Sequence, residues 1–228
     1  MKNDLETFFE NHDGRLITKW SHYFKIYDRY LARFRGTDAH LMEVGVCHGG
    51  SLQMWKHYLG NKASIYGVDI HPRTLDFKED QIEIFIGDQE DRAFLKTLKN
   101  DTPRLDILID DGGHTMEQQI NTFDELFPHV SENGVYICED THTSYWSSFG
   151  GGYLKQGTFI EYVKDKIDEL NAFHNNEIPD ELEQTPFTRS AYAMHFYDSV
   201  VVIEKRKRPE PVTVHKGRFR LPRHHPNR

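Results

Sequence analysis

The chain of 228 residues is 37% hydrophobic, 28% charged and 13% aromatic, a balance that excludes long disorder and fits one large folded domain. No run approaches the ~20 apolar residues of a membrane span, and two cysteines, Cys47 and Cys138, are too few for a disulfide framework. The net charge of −8 divides into −16 over residues 1–204 (19 basic against 35 acidic side chains) and +8 over residues 205–228 (nine against one), so the acidic body argues against general nucleic-acid binding.

The opening MKNDLETFFENHDG has acids where a secretory signal needs a basic and then an apolar stretch, so a cytoplasmic chain is expected. Residues 5–35, with Trp20, Tyr23, Phe24, Tyr27, Tyr30, Leu31 and Phe34 at helical spacing, predict helix ahead of a sheet. HLMEVGV (40–46) predicts a first strand and SLQMWKHYL (51–59) its helix. SIYGVDI (64–70), IEIFIGD (82–88) and LDILIDD (105–111) are β-rich runs that each end in or beside an acid. MEQQINTFDELF (116–127) is helical, GVYICED (134–140) a fifth strand, TFIEYVKDKIDELNAFH (158–174) a long helix, and AYAMHFYDSVVVIEKR (191–206) a hairpin turning at Asp198-Ser199. The tail beyond, with four prolines and nine basic residues counted from Lys205, should be extended unless it docks on an acidic neighbouring subunit.

Alternating strands and helices build a parallel sheet. The closing hairpin makes the pattern resemble the Rossmann-like fold of class I methyltransferases: an α/β, mostly parallel, seven-stranded sheet with a C-terminal antiparallel hairpin. The expected organisation is an N-terminal helical lid (1–36), an S-adenosylmethionine-binding catalytic domain (37–206) and a basic tail (207–228).

Ligands of such sheets bind outside the carboxyl ends of the strands. The first turn, Glu43 to Ser51, places Cys47 where a pyrophosphate-binding turn has its middle glycine, which weakens a dinucleotide reading. Glu43 at the strand end would attract the ammonium of a methionine moiety. Gly45, Gly49 and Ser51 supply the rest of the turn. Asp69, 24 residues after Gly45, can accept two ribose hydroxyls, and Asp88 with Gln89 can meet an adenine edge.

Strand four ends in Asp110-Asp111 and strand five in Glu139-Asp140. Carboxylates crowded at adjoining strand tips need a cation, and an all-oxygen set favours Mg²⁺, with Mn²⁺ or Ca²⁺ as alternatives. Alternation along a strand cannot put both aspartates in one shell, which assigns Asp111 to the metal and Asp110 to the cofactor. His114 follows through two glycines and is the candidate general base. The loop THTSYWSSFGGGY, rich in aromatics and hydroxyls, offers His142, Tyr145 and Trp146 to an acceptor.

The combination D-D-G-x-H, then E-D-T-H-x-S-Y-W, with K-W-x-H-Y-F upstream and G-D-Q between, resembles the metal-dependent, mycinamicin-type sugar O-methyltransferases of bacterial natural-product pathways, over roughly residues 15–205. The resemblance implies methyl transfer from S-adenosylmethionine to a sugar-like or glycoside hydroxyl, with Asp111, Glu139 and Asp140 on Mg²⁺ and His114 as base. It further implies an N-terminal segment closing over the methionine end of the cofactor, through Thr18, Lys19 or His22. A homo-oligomer, with the tail as a subunit contact, is expected. Competing readings are a non-haem iron oxygenase using His114, His142 and Asp111, as in relatives labelled cephalosporin hydroxylases, a non-catalytic cofactor-binding protein, and an RNA methyltransferase suggested by the tail alone.

Overall fold

The computed structural model describes residues 2–218. Helix α1 (Asp4–Asn11) begins at Asn3, whose side chain accepts from the Glu6 N–H while Glu6 reaches back to the Asn3 N–H, a reciprocal cap. Helix α2 (Tyr23–Leu31) follows only after an irregular strap over residues 12–22. The N-terminal helices expected over residues 5–35 are interrupted by this strap, and Trp20 is half-exposed in it rather than on a helical face.

Strands β1 (His40–Val44), β2 (Ser64–Asp69), β3 (Ile82–Ile86), β4 (Leu105–Asp110) and β5 (Val130–Cys138) are parallel, and β6 (Ala191–Tyr197) with β7 (Val200–Lys205) forms the antiparallel hairpin. Their order is β3-β2-β1-β4-β5-β7-β6, so β7 inserts between β5 and β6. The chain reverses direction across the sheet between β1 and β4. That is the switch point where α/β folds hold ligands.

Alternation along the strands divides the core into two layers. Leu41, Ile107, Ile109, Val135, Ile137, Val200 and Val202 face α1, α2 and helix α3 (Gly50–Leu59). Met42, Val44, Leu108, Tyr136, Cys138, Val201 and Ile203 face helices α4 (Arg92–Asp101), α5 (Met116–Leu126), α6 (Phe159–Asn171) and α7 (Pro186–Ser190). Covering both faces is what lets these strands be almost continuously apolar. Helix α4, which the strand-by-strand reading did not include, is capped by Asp91 and buries only Leu95 and Leu98.

The start of the basic tail is docked on its own chain. Lys205 donates to the carbonyls of Phe127, Pro128 and Val130, and Arg208 to those of Leu170, Thr188 and Ala191. Residues 209–218 are exposed; the expected tail contact beyond 218 lies outside the described residues. Among the described residues, no helix is long and apolar enough to cross a membrane.

Candidate active site

The tips of β1, β4 and β5 meet in backbone register. The Asp111 N–H donates to the Val44 carbonyl and the Glu139 N–H to the Asp110 carbonyl, both at 2.9 Å. Gly45, at φ 98°, is required there because a Cβ would lie 1.9 Å from the Asp111 carbonyl oxygen.

One cleft opens beside this junction, lined by Gly45, Cys47, Asp69, Asp88, Gln89 and Gly112 among others. Asp69 accepts from the Val46 and Cys47 N–H groups at 2.9 Å through Oδ2 and from the His71 N–H at 2.8 Å through Oδ1. These bonds tie the end of β2 to the glycine turn and fix the carboxylate's direction. Asp88 accepts from the Glu90 N–H.

Several expected cofactor residues are turned inward instead. Gln89 borders the cleft, but its amide nitrogen donates to Asp110 (2.6 Å) and Thr122 (2.8 Å), and its carbonyl accepts from the Gly113 N–H. It pins the Asp-Asp-Gly-Gly turn with both amide hydrogens engaged, which leaves only an acceptor for an adenine edge. Asp110 is buried on the opposite face of β4 from Asp111, bonded to Gln89 and Tyr136, and burial lifts its carboxyl to about 7. Gly49 caps α3 at φ 75°. Ser51 is buried and donates to Glu43 at 2.5 Å.

Lys19, in the strap, holds the centre of an acidic cluster. Its ammonium donates to Asp111 Oδ2 (2.5 Å), to both Glu139 oxygens (3.1 and 3.0 Å) and to Glu43 Oε1 (3.2 Å). Burial alone would lower its pKa, but Asp111 and Glu139 hold it well above the usual value. Burial raises Glu43 and, reinforced by the like charge of Asp111, raises Glu139 further. Thr18 stands beside Lys19 on a second cleft with Trp20, Tyr23, Asp111, Glu139 and Asp140. The expected cofactor-closing ammonium of Lys19 is thus committed to carboxylates.

On the solvent side of Asp111 the ring of His114 completes a second group. His114 Nε2 lies 3.8 Å from Asp111 Oδ1 and 3.6 Å from Asp140 Oδ2, and one ligand atom from each of these three residues lies within 4.8 Å of the others. His114 Nδ1 is buried without a hydrogen-bond partner. Asp140 Oδ1 accepts from the Tyr23 hydroxyl at 2.7 Å, and Glu139 Oε1 from the Tyr27 hydroxyl at 2.7 Å. Two half-free carboxylates beside an imidazole suit a hard divalent ion.

His142 bonds Ser199 through Nδ1 and packs its ring against Trp146 at 4.5 Å. It belongs to neither group able to share an ion among the described residues, so the two-histidine, one-carboxylate arrangement of an iron oxygenase is not assembled. Trp146 and Trp20 flank His142, both half-exposed, and Tyr145 lines the adjoining groove with Ile160 and Phe196. Sequence reasoning missed Tyr23 and Tyr27 as partners of the acids. Their i, i+4 spacing, three residues after Trp20 and three before Tyr30, was the available signal.

Residues 42–141 match a family model described as a methyltransferase domain. The demethylmacrocin O-methyltransferase of Streptomyces fradiae is 34% identical over 83% of this chain and 51% of its own length. The mycinamicin VI 2''-O-methyltransferase of Micromonospora griseorubida is 34% identical over 81% and 48%. The methyltransferase MycE of the mycinamycin pathway, solved with Mg and SAH, aligns with a TM-score of 0.81 at 30% identity, over 91% of this chain and 55% of that one. The sheet order, the cleft at its switch point and these matches define a class I methyltransferase fold with a methyltransferase domain. Within that class the chain is similar in sequence to sugar O-methyltransferases. It spans about half the length of the curated relatives it matches.

Proposed function

We propose that the protein transfers the methyl group of S-adenosylmethionine to a hydroxyl of a sugar or glycoside acceptor, with a divalent ion, Mg²⁺ first, at the strand tips. The observation that carries this reading is the convergence of Asp111, Asp140 and His114, with Asp111 shared between the Asp69 cleft and the cleft that Asp140 lines. MycE, solved with Mg, SAH and mycinamycin VI, aligns with a TM-score of 0.80, which supports the same ligand classes here. The adenosyl group would lie in the cleft against Asp69 and Asp88, with Gly45 allowing close backbone approach. When bound at Asp111 and Asp140, the ion supplies Lewis acidity that lowers the pKa of the acceptor hydroxyl.

The chain's own residues do the rest. Asp111 and Asp140 orient the acceptor's oxygens, and Tyr23 fixes the direction of Asp140. His114 Nε2 takes the hydroxyl proton as the oxygen attacks the methyl carbon in line with the departing sulfur. Trp20, Tyr145 and Trp146 offer stacking faces to a sugar ring, and their exposure suits an acceptor arriving from solvent. A homo-oligomer with the basic tail against an acidic neighbour is part of the same reading, supported by the opposed charges of body and tail. So is a cytoplasmic setting, which fits two free thiols, Cys47 and Cys138.

The test is transfer of labelled methyl from S-adenosylmethionine to a panel of glycosides, phenols and polyols, with and without chelator. Glycosides are expected to be labelled, and chelator to abolish the signal until Mg²⁺ is restored. Asp111→Ala should lose at least ~10²-fold in turnover. Chelator-resistant transfer, or labelling of phenols in preference to glycosides, would overturn the reading.

A further inference from the structure

The strap, the loop after β5 and the turn of the hairpin together build a box of about 240 Å³ lined by Trp20, His22, His142, Trp146, Asp198 and Ser199. Trp20 also lines the cleft of Asp111, Glu139 and Asp140, so the box adjoins the proposed transfer site across one indole. Its walls are pinned to each other. His22 Nε2 lies 3.0 Å from the Asp198 carbonyl oxygen, His142 Nδ1 bonds the Ser199 hydroxyl, and the Thr141 N–H donates to the Ser199 carbonyl at 3.1 Å. His142 stands edge-on to Trp20 at 6.1 Å and to Trp146 at 4.5 Å. One group is left over: the Asp198 carboxylate forms no hydrogen bond or ion pair among the described residues. Lys164, its neighbour on the adjoining groove, is paired with Glu161 at 2.7 Å instead.

We propose that this box receives an ammonium group carried by the acceptor, so that the preferred acceptors are glycosides with a protonated amine beside the reacting sugar. This rests on the glycoside reading above and deepens it. The face of an indole is electron-rich and attracts a cation within about 6 Å of the ring centre, and an unpaired carboxylate attracts it as well. Among the described residues no Lys or Arg lines the box to take that place. An alkylated ammonium meets both demands, since its carbons cover Trp20 and Trp146, which are 55% and 50% exposed, while its charge faces Asp198. A neutral ring would gain the stacking and nothing from the carboxylate. Trp20, common to both clefts, can hold the sugar while the amine lies beyond it.

The experiment titrates the full-length protein, without metal or methyl donor, with choline and with its uncharged carbon isostere, in which a tert-butyl group replaces trimethylammonium. Tryptophan fluorescence at matched ionic strength is the readout. The wild type is expected to bind choline at least about fivefold more tightly than the isostere, the size of one cation–π contact with a solvated ion pair. Asp198→Asn and Trp146→Leu, each checked for folding by its melting temperature, are expected to bind choline more weakly and to lose most of that preference. Equal affinity for the two probes, or binding of neither, would overturn the proposal, as would wild-type choline affinity in either folded variant. A second arm compares methyl transfer to two glycosides that differ only in an amino group against a hydroxyl. The amine is expected to have the lower KM at similar kcat, and Asp198→Asn to raise KM for the amine alone; equal KM values in the wild type would overturn the proposal and leave the proposed function standing. If no glycoside is methylated, the proposed function fails, and the choline titration still decides whether the box holds a cation.

Discussion

His114 and Asp140 both have left-handed backbones, at φ 58° and 53°, a conformation that side chains other than glycine adopt at a cost of ~1–3 kcal/mol. Surrounding bonds hold them there: Thr143 donates through Oγ1 to the His114 carbonyl, and its N–H to the Asp140 carbonyl. The strain aims an imidazole and a carboxylate at each other across 3.6 Å. His114→Gln keeps a polar side chain but loses the base, so turnover should fall by at least ~10²-fold with S-adenosylhomocysteine affinity unchanged, as read by steady-state kinetics beside calorimetry. Asp110 gives a pH prediction. It ionises near 3.8 when exposed but at about 7 in the fold. Below 3.8 it is neutral in both states. As pH rises toward 7 the unfolded chain sheds the proton first, and stability is lost, by up to about 4 kcal/mol once both states are ionised. Asp110→Asn retains the Gln89 acceptor and removes that titration. Its stability relative to wild type should rise by up to ~3 kcal/mol between pH 5 and pH 8 in denaturant titrations; a flat difference would mean Asp110 keeps no proton. The side-chain alternation that separates Asp110 from Asp111 was readable in the sequence. Which of them met the cleft, and that Asp110 faced Gln89 rather than a ligand, depended on α5 and β5 contacts remote in the chain.

Helix α2 converts a local spacing into long-range positioning. Tyr23, Tyr27 and Tyr30 lie at i, i+4 and i+7 and so share one face, where their hydroxyls reach Asp140, Glu139 and Tyr197 at 2.7 Å each. One helix thus sights along the tips of β5 and the hairpin. Tyr27→Phe removes a buried donor to a carboxylate, which should cost ~1.5–3 kcal/mol in chemical denaturation; an undiminished midpoint would mean Lys19 alone satisfies Glu139. The strands, the hairpin, α3, α5 and α6 were legible because each carries a period, two or 3.6, over enough residues. Helix α4 has only Leu95 and Leu98 buried, too short a stripe to stand out between two strands. The break between α1 and α2 was signalled by Asp13-Gly14, yet the aromatic spacing on either side masked it. Strand β5 begins at Val130, ahead of the run starting at 134, and its pairing with β4 shifts register between Leu105 and Ile107, which hides the alternation. Lys19 stands 24, 92 and 120 residues from the acids it joins, and no local pattern reports a contact of that range.

At the scale of the whole molecule, the opposed charges of body and tail carry two separable effects. Arg208 stitches α6, α7 and β6 by three carbonyl bonds and lies over the Phe173 ring at 5.5 Å, so it belongs to the folded unit, whereas residues 209–218 are exposed. Arg208→Ala removes a charged donor from carbonyls that then lack it, a loss of ~1–3 kcal/mol. For a chain of this size that lowers the melting temperature by roughly 2–4 °C per kcal/mol. A chain ending at Arg208 should melt close to the wild type, because residues 209–218 are exposed. Association should respond in the opposite way. If the basic tail joins an acidic neighbouring subunit, sedimentation at low salt gives a larger species for the wild type and for Arg208→Ala than for the shortened chain, and near 1 M salt, where screening acts within ~3 Å, all three converge on the smaller one. A wild type whose mass ignores both truncation and salt would leave the tail without a subunit role, while the melting comparison would still decide the role of Arg208.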